Sequence, residues 1–289
     1  MSIIKTEELT YVYGKGTPFV KQAITDVNID INENELVALI GHTGSGKSTL
    51  VQHLNGLVRP TAGKIYVDGE DIWAEPKNIR AVRFKVGLVF QYPEYQLFDE
   101  TVEQDIAFGP RNLGLSEAEI AERVKWASEI VGLSDDLLKK SPFDLSGGEK
   151  RRAAIAGVLS MKPKVLILDE PTAGLDPKGR DMLLERISRY RKESKTTVVM
   201  VSHSMEDVAK MADRVIVMHD GKVDMTGTTR EVFARSERLT QIGLNTPSVT
   251  KIMHRLRSMG AELPEEILTV EEAENALLKL LKGGNSNAL

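Results

Sequence analysis

The stretch GHTGSGKS, residues 41–48, decides how this chain is read. It matches G-x-x-x-x-G-K-[ST] in full. It follows the short apolar run ELVALIG (35–41) and opens a helical stretch at 46–57. Strand, glycine loop and helix together give the motif its meaning. Gly41, Gly44 and Gly46 let the backbone turn so that its N–H groups face inward. With the positive end of the helix they make an anion site. Lys47 adds a point charge, and the Ser48 hydroxyl is suited to Mg²⁺. The expected nucleotide site is thus Gly41, His42, Thr43, Gly44, Ser45, Gly46, Lys47, Ser48 and Thr49. The plain alternative, a glycine-rich turn with an exposed lysine, does not explain the flanking strand and helix.

Other stretches repeat the texture of 35–41. KVGLVF (85–90), KVLILD (164–169) and TTVVMVS (196–202) are short, continuous apolar runs, as buried strands of a parallel sheet are. Helical patterns lie between them, at 101–112, 116–131, 146–160 and 178–193. This alternation predicts an α/β fold with a mainly parallel core sheet. Residues 3–13 and 23–31 alternate apolar and polar positions and predict an antiparallel β subdomain. Asp220-Gly221 in MHDGKV (218–223) predicts a hairpin. Residues 113–134, flanked by glycines at 114 and 132, predict part of a helical subdomain spanning about 92–160. After about 240 the texture changes: NTPSV (245–249) reads as a linker, with amphipathic helices near 248–258 and 269–282 and a flexible tail GGNSNAL. The expected division is 1–240 and 241–289.

VLILDE (165–170) ends an apolar strand in two carboxylates. At the C-terminal edge of a parallel sheet, Asp169 would face the phosphate loop and hold Mg²⁺ through water. Glu170 would orient or deprotonate an attacking water. The bland reading is a strand end capped by solvated acids; a complete phosphate loop nearby argues against it.

A second glycine loop, LSGGEKRR (145–152), lies about a hundred residues on. Ser146 and Glu149 have capping-box spacing, so helix initiation is the plain reading. Initiation alone does not require Gly147 and Gly148. Two glycines beside the cap leave the helix's free N–H groups open to an anion from another body. The chain's own nucleotide is already cradled at 41–48. A dimer resolves this: each chain offers Ser146, Gly147, Gly148 and Glu149 to the ATP of its partner. Lys150 to Arg152 reads as a solvated helix face.

LSGGEKRR, GHTGSGKST and VLILDEPTAGLD together resemble the ATP-binding subunit of an ABC transporter, over residues 3–235. The resemblance implies ATP and Mg²⁺ as cofactors and further roles by position. Gln91 matches the family's glutamine that senses Mg²⁺ and contacts the transmembrane partner. AGLD (173–176) matches the loop that crosses to the other subunit. His203 matches the histidine that contacts γ-phosphate, and Tyr13 the aromatic that stacks on adenine. Tyr11 is the rival stacker, because two tyrosines alternating along a strand share a face.

QYPEYQLFDETVEQDIAFGPRNLGL and LSMKPKVLILDEPTAGLDPKGR resemble more narrowly the energy-coupling-factor transporters. GKGTPFVKQAI (14–24), His42 and a C-terminal helical extension resemble their A2 (A-prime) type. That resemblance implies a second ATPase subunit and favours a hetero pair over two identical copies, with a transmembrane scaffold protein and a membrane-embedded protein that captures a vitamin or metal ion. It implies a place at the cytoplasmic face of the cell membrane. It assigns scaffold docking to YPEYQLFDETVE (92–103), where Tyr92, Tyr95, Leu97 and Phe98 stand beside Glu94, Asp99, Glu100 and Glu103. The nearest alternative is the ATPase of another importer, for cobalt, nickel or amino acids.

Composition narrows the field. Net charge is −4 and the pI about 5.9, without the basic excess of a nucleic-acid binder. The chain has no cysteine, which excludes disulfides, thiolate metal sites and cysteine nucleophiles. Its apolar runs fall far short of the roughly 20 residues of a spanning helix. Leu145 follows Lys47 by only 98 positions, too few for the long coiled coil of DNA-repair ABC ATPases. A P-loop small-molecule kinase has no use for LSGGE or His203.

Overall fold

A computed structural model describes residues 1–264 and 266–284. Two sheets organise the chain. The strands, in order, are β1 Ser2–Tyr13, β2 Lys21–Val27, β3 Asp30–Asn32, β4 Leu36–Ile40, β5 Ala62–Val67, β6 Glu70–Asp71, β7 Val86–Val89, β8 Val165–Asp169, β9 Thr197–Val201, β10 Arg214–His219 and β11 Lys222–Thr228.

The core sheet has the order β11-β10-β4-β9-β8-β7. Its five strands from β10 to β7 are parallel; β11 returns antiparallel through the Asp220-Gly221 turn. Both turn residues have positive φ, 45° and 75°, as a two-residue hairpin turn of the primed type requires. The apolar runs are continuous because both faces are covered. Leu36, Ala38 and Ile40 of β4 enter one core cluster, among the helices, while Val37 and Leu39 enter the other. The second cluster lies against the antiparallel sheet β2-β1-β5-β6, with β3 also paired to β1. The expected strand 23–31 is two strands: β2 pairs with residues 9–13 of β1, and β3 with residues 2–5.

The helical side carries Val102–Asn112, Glu117–Val131, Asp135–Leu138 and Gly147–Leu159. Ser116 starts the second of these with a full capping box, and Gly132 stops it in the left-handed conformation. Toward the C-terminus, Ser248–Ser258 and Val270–Gly284 share a small core built on Met253, Leu263, Ile267 and Ala273. Arg230 ties this part to the rest, pairing with Glu272 at 2.5 Å and donating to the Glu266 carbonyl at 2.7 Å. The last helix takes in Gly283 and Gly284 of the expected tail; residues 285–289 lie outside the described residues. Among the described residues no helix is long and apolar enough to cross a membrane.

Candidate functional site

Parallel strands deliver their C-terminal ends to one edge, and in an open α/β sheet that edge is where ligands bind. Here β4 runs into the phosphate loop, β8 into Asp169-Glu170, β9 toward His203 and β7 toward Gln91. Four segments far apart in sequence are therefore brought together.

The phosphate loop is tightly constrained. Ser45 N–H donates to the His42 carbonyl (3.1 Å), and Gly221 N–H to the Ser45 carbonyl (3.1 Å). Gly46 has φ 100°, and a Cβ there would come within 2.8 Å of the Ala23 carbonyl oxygen. Only glycine fits that position. Lys47 is 6% exposed and turns back to donate to the carbonyls of Gly41 (2.7 Å) and His42 (3.1 Å). Its ammonium is thus held in the loop that its charge is to serve. Burial lowers its pKa, partly offset by Glu170 and Asp169. The helix Lys47–Leu54 begins directly behind the loop.

Asp169 is buried at the end of β8. Burial raises its carboxyl pKa, against a hydrogen bond with Ser48 and the charge of Lys47. Ser48 and Asp169 thus form one oxygen-donor pair, the ligand chemistry Mg²⁺ takes. Glu170 follows with φ 51°, a left-handed conformation that a glutamate adopts only at a cost. Its carboxylate reaches His203. The Glu170 Oε1 to His203 Nε2 distance is 3.4 Å, and the His203 backbone N–H donates to Oε2 at 3.4 Å. Burial pushes the Glu170 carboxyl up to about 7. A carboxylate so poised suits proton abstraction near neutral pH. His203 is half exposed, and burial followed by the Lys47 charge lowers its pKa.

The two tyrosines divide. Tyr11 and Tyr13 do share a face, with ring centroids 4.8 Å apart. Tyr11 packs against His53 (4.7 Å). Tyr13 is exposed, and its hydroxyl lies 3.2 Å from Thr49 Oγ1. Tyr13 is therefore the ring free to stack.

The second glycine loop has the expected cap. The Ser146 N–H and hydroxyl both reach Glu149 Oε2, at 2.8 and 2.7 Å, and Glu149 N–H donates back at 3.4 Å. A Cβ on Gly147 would meet nothing within 4 Å, so this glycine leaves open space beside the helix start. The cleft next to it is lined by Gly174, Leu175, Asp176 and Met182, and by no residue of 41–48.

One expectation fails. Arg151 is not on a solvated face; it is 4% exposed. Its guanidinium donates to the carbonyls of Ala173, Pro171 (3.4 Å) and Gln91 (3.3 Å), and pairs with Glu94 at 3.4 Å. Five donors on a planar fork allow one side chain to bind all four. The helix Gly147–Leu159, the Gln91 loop and the loop after Glu170 are thereby joined. The run KRR carries no sign of this, because the partners lie 20 to 60 residues away. Arg180 was missed for the same reason: it grips Asp207 (2.5 Å) and Ser204 Oγ (2.7 Å), just behind His203.

The docking stretch is also revised. Tyr92, Tyr95 and Phe98 are exposed, Tyr95 by 84%, but Leu97 is half-buried against the core. Glu94 is spent on Arg151. Phe98 instead continues into an apolar groove with Phe108 and Met161, rimmed by Arg80 and Arg83.

Comparison with known proteins agrees with this architecture. Residues 24–173 match the ABC transporter family. The chain belongs to that family. Its relatives narrow the branch. It is 57% identical to the energy-coupling factor transporter ATP-binding protein EcfA2 of Clostridium perfringens, covering 98% of this chain and 99% of that one. It is 55% identical to EcfA2 of Caldanaerobacter subterraneus, covering 97% and 98%. Identity at this level places it among the energy-coupling factor ATP-binding proteins. Among solved structures, cbiO1 of Clostridium perfringens, part of the ABC transporter complex cbiONQ, aligns with TM-score 0.75 at 41% identity over 89% of this chain and 99% of that one. The dimeric post-hydrolysis state of the cassette MJ0796, bound to ADP and Pi, aligns with TM-score 0.71 at 28% identity over 78% and 99%.

Proposed function

We propose that this ABC ATPase is the A2-type subunit of an energy-coupling factor importer, hydrolysing ATP with Mg²⁺ to power uptake of a vitamin or similar micronutrient. One observation carries the reading: four strand ends converge on a phosphate loop beside a buried carboxylate held at about 7. The near full-length likeness to EcfA2 proteins favours this branch over a cobalt, nickel or amino acid importer.

In this reading the loop 41–49 wraps the phosphates, and Lys47 leaves its two carbonyls for the β- and γ-oxygens. Ser48 and Asp169 hold Mg²⁺, with Gln91 at its side. Glu170 takes a proton from the attacking water, and His203 contacts the γ-phosphate. Tyr13 stacks on adenine. Ser146, Gly147, Gly148 and Glu149 act on the ATP of a second ATPase subunit, across an interface that includes 173–176. The open space at Gly147 supports this, since nothing of the chain's own fills it. We take 1–240 as the unit that does the chemistry and 241–289 as the helical extension, with Leu244 and Leu268 of the extension packed in the main core.

The partners are a second ATPase, a transmembrane scaffold seated in the Phe98–Phe108 groove, and a membrane-embedded capture protein. The chain sits peripherally at the cytoplasmic face. The test is purification of the tagged full chain from detergent-solubilised membranes, with ATPase assay and mass spectrometry. A stoichiometric complex with integral membrane proteins and a second ATPase is expected. An active chain recovered wholly outside the membrane fraction, without such partners, would overturn the reading.

A further inference from the structure

On the flank of the phosphate loop, at His42, three metal-ligating side chains converge. His42 comes from the loop; His219 and Asp220 come from the end of β10 and its turn. One ligand atom from each lies within 4.8 Å of the others. His42 Nε2 is 3.5 Å from Asp220 Oδ1, and His219 Nε2 is 3.5 Å from Asp220 Oδ2. The imidazole rings are edge to face, with centroids 5.1 Å apart.

These separations have a chemical meaning. Two ligands bound tetrahedrally at about 2.0–2.1 Å stand about 3.3–3.4 Å apart. Each imidazole nitrogen stands near that spacing from one carboxylate oxygen of Asp220, His42 from Oδ1 and His219 from Oδ2, and one ligand atom from each of the three residues lies within 4.8 Å of the others. On His42 the lone pair is also arranged for it, whereas His219 Nδ1 is buried without a hydrogen-bond partner. His42 Nδ1 lies 2.8 Å from the Thr43 carbonyl, which can only accept, so Nδ1 carries the hydrogen and Nε2 the lone pair. Such a backbone acceptor behind a ring is the usual support of a ligating histidine. His42 Nε2 is buried without a hydrogen-bond partner. A buried acceptor left unmatched calls for an explanation.

We propose that His42, His219 and Asp220 form a binding site for a borderline transition-metal dication such as Zn²⁺ or Co²⁺. Two imidazoles and one carboxylate select such an ion over Mg²⁺, which prefers all-oxygen surroundings. Asp220 is exposed, so solvent supplies the remaining position, as in three-ligand sites. The ion's role is a staple. The hairpin already touches the loop through Gly221 N–H and the Ser45 carbonyl. A metal on His42 joins the two covalently remote segments at the residue whose carbonyl receives Lys47. Binding therefore stabilises the phosphate loop in its folded shape.

The test uses the full chain without nucleotide, freed of metal by chelation, and titrated with Co²⁺ while visible absorption is recorded. One Co²⁺ per chain is expected, with d–d bands of low-coordinate geometry, displacement by Zn²⁺ and a rise in Tm. His219→Gln and Asp220→Asn should each weaken binding at least about tenfold while keeping ATP·Mg²⁺ affinity. Asn tolerates the left-handed turn position, so the second variant is not expected to misfold. Asp169→Asn should leave Co²⁺ binding intact. Absence of binding, binding unchanged in both hairpin variants, or binding lost only in Asp169→Asn would each overturn the proposal.

Discussion

Glu170 shows how much one residue's surroundings decide. Its carboxylate is buried, backed by the His203 N–H, and titrates at about 7 instead of its usual 4.5. Hydrolysis should therefore rise as pH climbs through about 7, as the base loses its proton, and a pH–rate profile checks this. Glu170→Gln should lower turnover about 10²–10⁴-fold and flatten that limb, while ATP still binds. Near-normal hydrolysis would remove Glu170 from the role of base. Stability runs the other way. A carboxyl whose pKa is raised on folding favours the folded state least when ionised, so its destabilising effect grows from pH 4.5 to 7 and is complete above. At pH 8 the Gln variant should be more stable than the parent, by on the order of 1–3 kcal/mol, in chemical denaturation. At pH 4 the two should be nearly equal.

At the scale of elements, Arg151 and the apolar groove carry the argument. Arg151→Ala would strand Glu94 and three carbonyls, costing on the order of 3 kcal/mol in urea unfolding. A loss below about 0.5 kcal/mol would mean that the joint between helix 147–159 and its two loops is weak. Replacing the exposed Tyr95 and the groove residues Phe98 and Phe108 with Ala should leave nucleotide binding unchanged while releasing the chain from membranes. Membrane fractionation decides it; unchanged sedimentation would put docking elsewhere. Glu94→Lys is a poor probe of docking, because it sets a second cation against Arg151.

These elements also mark what the sequence discloses. The core strands were legible because burial on both faces leaves a continuous apolar run, as in VLIL before Asp169. The capping boxes at Ser116 and Ser146 were legible because they are local. Strands β5 and β6 went unread although Asp68-Gly69 between them is the same kind of turn as Asp220-Gly221. Their apolar positions are few: β5 buries only Ile65 and Val67. Arg151, Arg180 and the His42–His219–Asp220 cluster were illegible for one shared reason. Their partners come from other strand ends, and only the sheet order makes them neighbours.

For the whole molecule, the proposed composite site rests on phosphate loop and glycine loop serving different nucleotides. Within one chain, the cleft beside LSGGE is lined by 174–176 and 182, not by 41–48. The most direct measurement compares two full-length variants by ATP titration and steady-state hydrolysis. Ser146→Arg fills the open space at the helix start and should block closure. It should lose turnover yet bind ATP within about twofold of the parent. Lys47→Ala removes the nearest fixed charge and should lose affinity itself, by about tenfold or more, the scale of a charge-assisted hydrogen bond. A loss of ATP affinity in Ser146→Arg as large as that in Lys47→Ala would contradict an action on the partner's nucleotide.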